Sequence, residues 1–198
     1  LLYFNNNICG TISLLEAMEH AKIYNLVFSS SATVYGAPSY LPIDELHSIN
    51  ALNPYGRTKQ HIEEILWNLA SSDALWKIVN LRYFNPIGAH PSGKIGENVN
   101  GLPSNIMPLI CKTVTGELPR LQIYGNDYDT PDGTGIRDYI DIMDLVDGHI
   151  AALQFITSDG IGAANTSNDL DNFYCFNLCT GFGYSVLELI TTFERVSG

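Results

Sequence analysis

Two short apolar segments, Tyr24-Asn25-Leu26-Val27-Phe28 and Lys77-Ile78-Val79-Asn80-Leu81-Arg82, flank a longer stretch with helical spacing, and that order constrains the fold more than any other feature. Each segment is short, rich in β-branched or aromatic residues and bounded by polar ones, which predicts a buried strand. Between them, Pro54 suits the first position of a helix running to about Ser71, with Ile62, Ile65, Leu66 and Leu69 as its core-facing stripe. Before the first strand, Ile8, Ile12, Leu15 and Met18 mark an amphipathic helix over Asn7 to Ala21. Helices alternating with buried strands predict an α/β chain built on a parallel sheet.

The pattern changes after Gly88. Pro91, Gly93, Gly96, Gly101 and Pro103 mark a long irregular connection. Beyond it we expect a helix from about Asn105, a short strand at Leu121 to Tyr124 and a helix over Asp144 to Thr157. An exposed loop at Ser158 to Asn172, a strand at Tyr174 to Leu178 and a helix from Ser185 complete the chain. Two domains are expected, residues 1–88 and 89–198.

Chemistry enters through three side chains. Ser31 closes the serine run Ser29-Ser30-Ser31-Ala32-Thr33-Val34-Tyr35-Gly36 at the carboxyl end of the first strand, where open α/β sheets bind their ligands. Tyr55 and Lys59 stand four residues apart, on one helix face. A phenol with a reference pKa of about 10 is a poor base at neutral pH unless a cation steadies its phenolate, and Lys59 can supply that cation.

Several segments together extend this pattern: Leu81-Arg82-Tyr83-Phe84-Asn85-Pro86-Ile87-Gly88, Asn105-Ile106-Met107-Pro108, Tyr124-Gly125-Asn126-Asp127-Tyr128 and Asp132-Gly133-Thr134-Gly135-Ile136-Arg137-Asp138-Tyr139-Ile140. With the serine run and Tyr55-Gly56-Arg57-Thr58-Lys59, the chain resembles the UDP-glucose 4-epimerases of the extended short-chain dehydrogenase/reductase superfamily over essentially its whole length. The resemblance implies a Rossmann-type parallel sheet, incomplete because its first strands are missing, with a smaller mixed α/β lobe for the UDP-sugar. It also implies NAD as cofactor, a hydride removed from sugar C4 and returned to the opposite face of a 4-keto intermediate, and a homodimer in the full-length form.

Site roles follow from the same resemblance. Tyr55 becomes the base that takes the proton of the sugar 4-hydroxyl, Lys59 the ligand of the nicotinamide ribose, and Ser31 the hydrogen-bond partner of the 4-hydroxyl. Asn5 and Phe84 join these three around NAD. Asn85, Asn105, Ile106, Gln122, Tyr124 and Arg137, with Ser31 and Tyr55, surround the UDP-sugar.

Nucleotide-sugar dehydratases of the same superfamily carry Asp-Glu after the serine or threonine, whereas this chain has Ala32 and Thr33, which cannot act as acid and base. Epimerases of UDP-pentoses or UDP-uronic acids remain alternatives, as does a noncatalytic ligand-binding descendant. In two places the chain departs from the family pattern, with Asp141 where histidine is usual and Cys179 where glycine is usual. Cys179 is expected to be strained if its φ is positive. The chain lacks the Gly-rich turn that cradles a dinucleotide pyrophosphate. It is therefore expected to be an internal piece of a longer, fungal-like enzyme, inactive by itself.

A formal net charge of −11, with ten scattered Lys and Arg, argues against nucleic acid as a partner. No apolar run approaches the roughly 18 residues of a membrane span, so a cytoplasmic protein is expected. Cys9, Cys111, Cys175 and Cys179 form no metal or redox spacing and are expected to be buried thiols.

Overall fold

A computed structural model of the protein describes residues 1–97, 101, 103–158 and 170–198. Most of the loop expected at Ser158 to Asn172 therefore lies outside the described residues. The chain groups into two compact units, Leu1–Phe84 with Leu145–Leu178, and Asn85–Asp144 with Cys179–Gly198. Residues 145–158 and 170–178, expected in the second domain, pack with the first.

The first unit is built on three parallel strands, β1 (Asn25–Ser31), β2 (Lys77–Tyr83) and β5 (Phe173–Leu178), in the order β1-β2-β5. Their register aligns Val27 with Val79 and Tyr174, and ends with Ser31, Tyr83 and Leu178 side by side. A short π-helical turn, Phe4–Cys9, runs into α1 (Gly10–His20), and α2 (Pro54–Ser72) crosses from β1 to β2. The Asn53 side chain accepts a hydrogen bond from Gly56 N at 2.7 Å, capping α2 one residue before Pro54.

Period-two alternation along β2 sets the two faces of the sheet. Ile78 joins Ile62, Leu66 and Ala70 of α2 and Leu15 of α1, with Trp76, Phe173 and Cys175, in one core cluster. Val79 and Leu81 point the other way, against Ala152 and Ile156 of α4 (Ile142–Thr157) and Tyr174. Each fully buried Ile or Leu here stabilises the fold by roughly 1.5–3 kcal/mol relative to an exposed one. The four-residue spacing of Ile62, Leu66 and Ala70 is what allows one helix to cover the sheet.

The second unit has a mixed sheet of short strands, ordered β3 (Asn85–Ile87), β4 (Ile136–Asp141) and β6 (Gly183–Ser185). β3 runs parallel to β4, and β6 antiparallel. Two helices belong to this unit, α3 (Ile106–Val114) and α5 (Val186–Ser197). Ser185 and Glu188 form a reciprocal capping box at the start of α5. Gly133 takes φ 77°, and a Cβ there would meet the Asn126 carbonyl oxygen at 2.3 Å, so only glycine fits this turn.

Three expectations are corrected. Residues 121–124 are not a strand: β-propensity forms no strand without a pairing edge, and the sheet is completed by β3, β4 and β6 instead. Cys179 has no positive φ, which in this segment falls on Gly181, so the strain does not arise. Of the cysteines only Cys175 is buried, in the α2-facing core, while Cys9 and Cys111 are exposed and Cys179 is half-buried. Asp141, where the family usually has histidine, accepts a hydrogen bond from Met143 N at 2.7 Å at the start of α4. Among the described residues no helix is long and apolar enough to cross a membrane.

Candidate active site

The first unit gathers Ser31, Tyr55 and Lys59 at the carboxyl end of its sheet. Ser31 is the last residue of β1, and its Oγ accepts from Thr33 N at 3.3 Å and from Thr33 Oγ1 at 3.0 Å, which folds the chain into the helical turn Ala32–Val34. α2 sits close on that turn. A Cβ on Gly56 would meet the Thr33 carbonyl oxygen at 2.8 Å, so the glycine after Tyr55 is what lets the tyrosine approach Ser31.

Burial pushes the Tyr55 phenol above its ordinary pKa, hydrogen bonding from Ser31 opposes this, and the nearby Tyr3 phenol adds to it. Tyr55 remains 36% exposed. Lys59 Nζ donates to the Ser29 carbonyl at 2.8 Å and lies 5.7 Å from the Tyr55 ring centroid and 4.9 Å from that of Phe28. Burial lowers the Lys59 pKa, and the Glu63 carboxylate works against that. In this geometry the Lys59 ammonium is directed at the Ser29 carbonyl, and the Tyr55 pKa stands above its ordinary value. An ammonium has three donors, so two remain for other partners.

Asn5 lies in the π-helical turn, exposed. That turn is tied to α2 by Asn7, whose Nδ2 donates to Thr58 Oγ1 at 2.9 Å, and by the edge-on contact of Tyr3 with Tyr55, with ring centroids 6.0 Å apart. Phe84 follows β2 directly, its N–H bonded to the Leu178 carbonyl at 3.1 Å.

Beneath the trio lies a polar network absent from the sequence-based expectations. Glu63, one turn after Lys59, makes a two-point ion pair with Arg82 of β2, Nη2 to Oε2 being 2.7 Å, with both side chains almost fully buried. Ser30 also bonds to Glu63, and Arg82 Nη1 donates to the Tyr35 hydroxyl at 3.0 Å, which in turn donates to Asn177 Oδ1 at 2.6 Å. Burial would lower the Arg82 pKa, but its bonds and attraction to Glu63 outweigh that and raise it. Burial pushes Tyr35 up to about 12, against the opposing pull of Arg82. The network joins β1, α2, β2 and β5 behind Ser31, Tyr55 and Lys59. Glu63 extends the four-residue row of Tyr55 and Lys59, a signal that was readable in the sequence.

In the second unit Asn85, Asn105 and Ile106 are brought together. They line a small cavity of about 40 Å³ with Glu97 and Tyr139. Asn85 pairs with Tyr139 across β3 and β4, and Asn105 Nδ2 donates to Glu97 Oε1 at 2.8 Å. Gln122, Tyr124 and Arg137 do not line that cavity. Gln122 and Tyr124 lie on exposed irregular chain, Tyr124 being 75% exposed, and Arg137 projects from β4 with Nη1 donating to the neighbouring Ile136 carbonyl at 2.7 Å. Among the described residues no cluster of His, Cys, Asp and Glu is arranged to hold a metal ion.

The profile of the NAD dependent epimerase/dehydratase family matches residues 1–164. The chain is 53% identical to UDP-glucose 4-epimerase 2 of Arabidopsis thaliana, over 100% of this chain and 54% of that protein. It is 50% identical to UDP-glucose 4-epimerase of Bacillus subtilis (strain 168), over 100% of this chain and 55% of that protein. Among solved structures, UDP-glucose-4-epimerase of Stenotrophomonas maltophila with bound NAD and formylated UDP-arabinopyranose superimposes with a TM-score of 0.90 at 47% identity, over 100% of this chain and 55% of that one. The chain spans about half the length of the curated relatives it matches.

Proposed function

Because the chain belongs to the NAD dependent epimerase/dehydratase family, we propose that the protein interconverts UDP-glucose and UDP-galactose by oxidation and reduction at sugar C4. The observation that carries this reading is the meeting of Ser31, Tyr55 and Lys59 at the carboxyl end of the parallel sheet, with Ser31 hydrogen-bonded to the Tyr55 phenol and Lys59 one turn along the same helix. Bound NAD supplies the acceptor and donor of the C4 hydride. The residues present suit its nicotinamide-ribose end. Lys59 spends one of its three donors on Ser29 and has two for ribose hydroxyls, while Asn5, Ser31, Tyr55 and Phe84 complete the holding set.

Tyr55 takes the proton of the 4-hydroxyl as the C4 hydrogen leaves and returns it when C4 is reduced, a transfer worth about two to four orders of magnitude in rate. Ser31 donates to the phenolate and steadies the same oxygen pair. The Tyr55 pKa starts high for this task, so the positive charges of Lys59 and of the bound cofactor must bring it down. UDP is held by Asn85, Asn105, Ile106, Gln122, Tyr124 and Arg137 of the second unit, with the Arg137 guanidinium matched to the diphosphate. Firm grip on UDP and few contacts to the sugar let the ring present either face. A cytoplasmic homodimer is part of the same reading and rests on the family resemblance.

A UDP-pentose is the second reading, supported by the UDP-arabinopyranose derivative in the Stenotrophomonas enzyme. The test is to incubate the native gene product with UDP-glucose and NAD and to separate UDP-galactose chromatographically, with UDP-arabinopyranose in parallel. UDP-galactose formation supports the proposal. Turnover of the pentose alone shifts the substrate, and tight UDP binding without any product identifies a noncatalytic binder.

A further inference from the structure

The sheet brings a second phenol to the catalytic end of the first unit. β2 turns Ile78 and Arg82 towards α2 and Val79, Leu81 and Tyr83 towards α4. Tyr83 is the last residue of β2, aligned with Ser31, and its hydroxyl sits between Ser29 Oγ, at 2.7 Å, and His149 Nε2 of α4. The two rings lie 5.1 Å apart between centroids.

The direction of these bonds follows from the far side of the imidazole. His149 Nδ1 is 2.8 Å from the Leu145 carbonyl oxygen, which can only accept, so Nδ1 carries the ring hydrogen and Nε2 of the neutral ring is the acceptor. The single Tyr83 hydrogen therefore goes to His149, and the Ser29 hydroxyl donates to the phenol oxygen. Ser29 also holds Lys59 through its carbonyl. Tyr83 bonds to His149 of α4 and is sensitive to charge on Tyr55 of α2, while β5 presents Leu178, which does not titrate. Burial pushes the Tyr83 pKa up, the Ser29 hydrogen bond opposes it, and negative charge on Tyr55 pushes it further.

Two phenols that repel each other's charge cannot ionise together, and the proton stays on the one whose neutral form is better held. We propose that His149 is a positioning residue: by accepting the Tyr83 hydrogen it keeps that phenol neutral and reserves the phenolate for Tyr55. The inference rests on the reading of Tyr55 as the proton acceptor.

The experiment is a pH titration of the native gene product labelled with ¹³Cζ-tyrosine, followed by NMR with Tyr55 and Tyr83 assigned from their phenylalanine variants. In the unaltered protein Tyr55 ionises before Tyr83. In His149→Ala, Tyr83 moves down towards Tyr55 by about one pH unit or more and Tyr55 moves up, as expected of a coupled pair that has lost its asymmetry. Turnover at neutral pH falls with it, and His149→Ala combined with Tyr83→Phe restores both the Tyr55 titration and most of the turnover, a rescue that loss of packing does not predict. His149→Gln, whose side-chain carbonyl can accept the phenol hydrogen, keeps the original order and guards against a folding defect in the alanine variant. The proposal is overturned if Tyr83 titrates in His149→Ala as it does in the unaltered protein, or if removing Tyr83 gives no rescue. A changed titration order with unchanged turnover supports the role of His149 and instead overturns Tyr55 as the base.

Discussion

The two units hold their candidate site residues in different ways. In the first, Ser31 ends a strand, Tyr55 and Lys59 share a helix, and the ion pair of Glu63 with Arg82 ties that helix to the sheet from within the core. In the second, Gln122 and Tyr124 sit on exposed irregular chain, and the ion pair of Lys112 with Glu117, at 2.8 Å, lies open to solvent. Proton transfer needs atoms fixed within fractions of an ångström, whereas gripping a nucleotide tolerates loops. Rigid elements accordingly carry the proposed chemistry, and loops and short strands carry the proposed binding.

The sharpest break is Tyr55→Phe, which removes one oxygen from the rigid side. Turnover of UDP-glucose should fall by about two to four orders of magnitude with little change in UDP affinity. Steady-state kinetics with UDP binding measured by calorimetry check this. Near-normal turnover would put the proton transfer elsewhere.

The ion pairs give the next largest effect and compare the units directly. Glu63→Ala strands the Arg82 guanidinium in the core and should cost about 3–5 kcal/mol in chemical denaturation. Lys112→Ala breaks a pair of similar length at the surface and should cost at most about 1 kcal/mol. Equal losses from the two variants would mean that burial does not separate them.

The same contrast governs what the sequence disclosed. The helices and the strands of the first unit were legible because their periods, 3.6 and 2, repeat over enough residues to be counted. β3, β4 and β6 span three, six and three residues and owe their existence to partners distant in the chain, so no local pattern announces them. Leu121 to Tyr124 has strand-like composition but finds no edge to pair with. Ser31, Tyr55 and Lys59 were legible as residue types at a spacing, and their meeting in the structure follows that spacing. His149 was not, because its partner Tyr83 is 66 residues away and a lone histidine on an apolar helix carries no local signal. Arg82 looked like the polar end of a strand, and only the position of Glu63 on α2 makes its burial intelligible.

Arg137→Ala probes the looser side. A guanidinium bound to a diphosphate far from C4 interacts equally with ground and transition states, so its loss should raise KM for UDP-glucose about tenfold or more while kcat changes little. Initial rates over a range of substrate concentrations test this split. An unchanged KM would assign the diphosphate to other residues.

The smallest effect concerns how the second unit fastens its last helix. Ser185 Oγ accepts from Glu188 N at 3.0 Å, Ser185 N donates to Glu188 Oε2 at 2.7 Å, and the same hydroxyl bonds to the Asp132 carboxylate. Ser185→Ala loses the cap, at a cost of about 1 kcal/mol. It also loses the bond to Asp132, whose pKa is held below its ordinary 3.8 first by Ser185 and then by the amide and hydroxyl of Thr134. A carboxylate with a depressed folded-state pKa contributes its stability in full above the unfolded value, and that contribution fades as pH falls through the folded value. The gap in melting temperature between the unaltered protein and Ser185→Ala should therefore be widest near neutral pH and shrink below pH 3.8, towards the part due to the helix cap. Thermal melts from neutral pH down into that acid range measure it. A gap that stays constant across the range would show that Asp132 takes no stabilisation from Ser185 and that the cap acts alone.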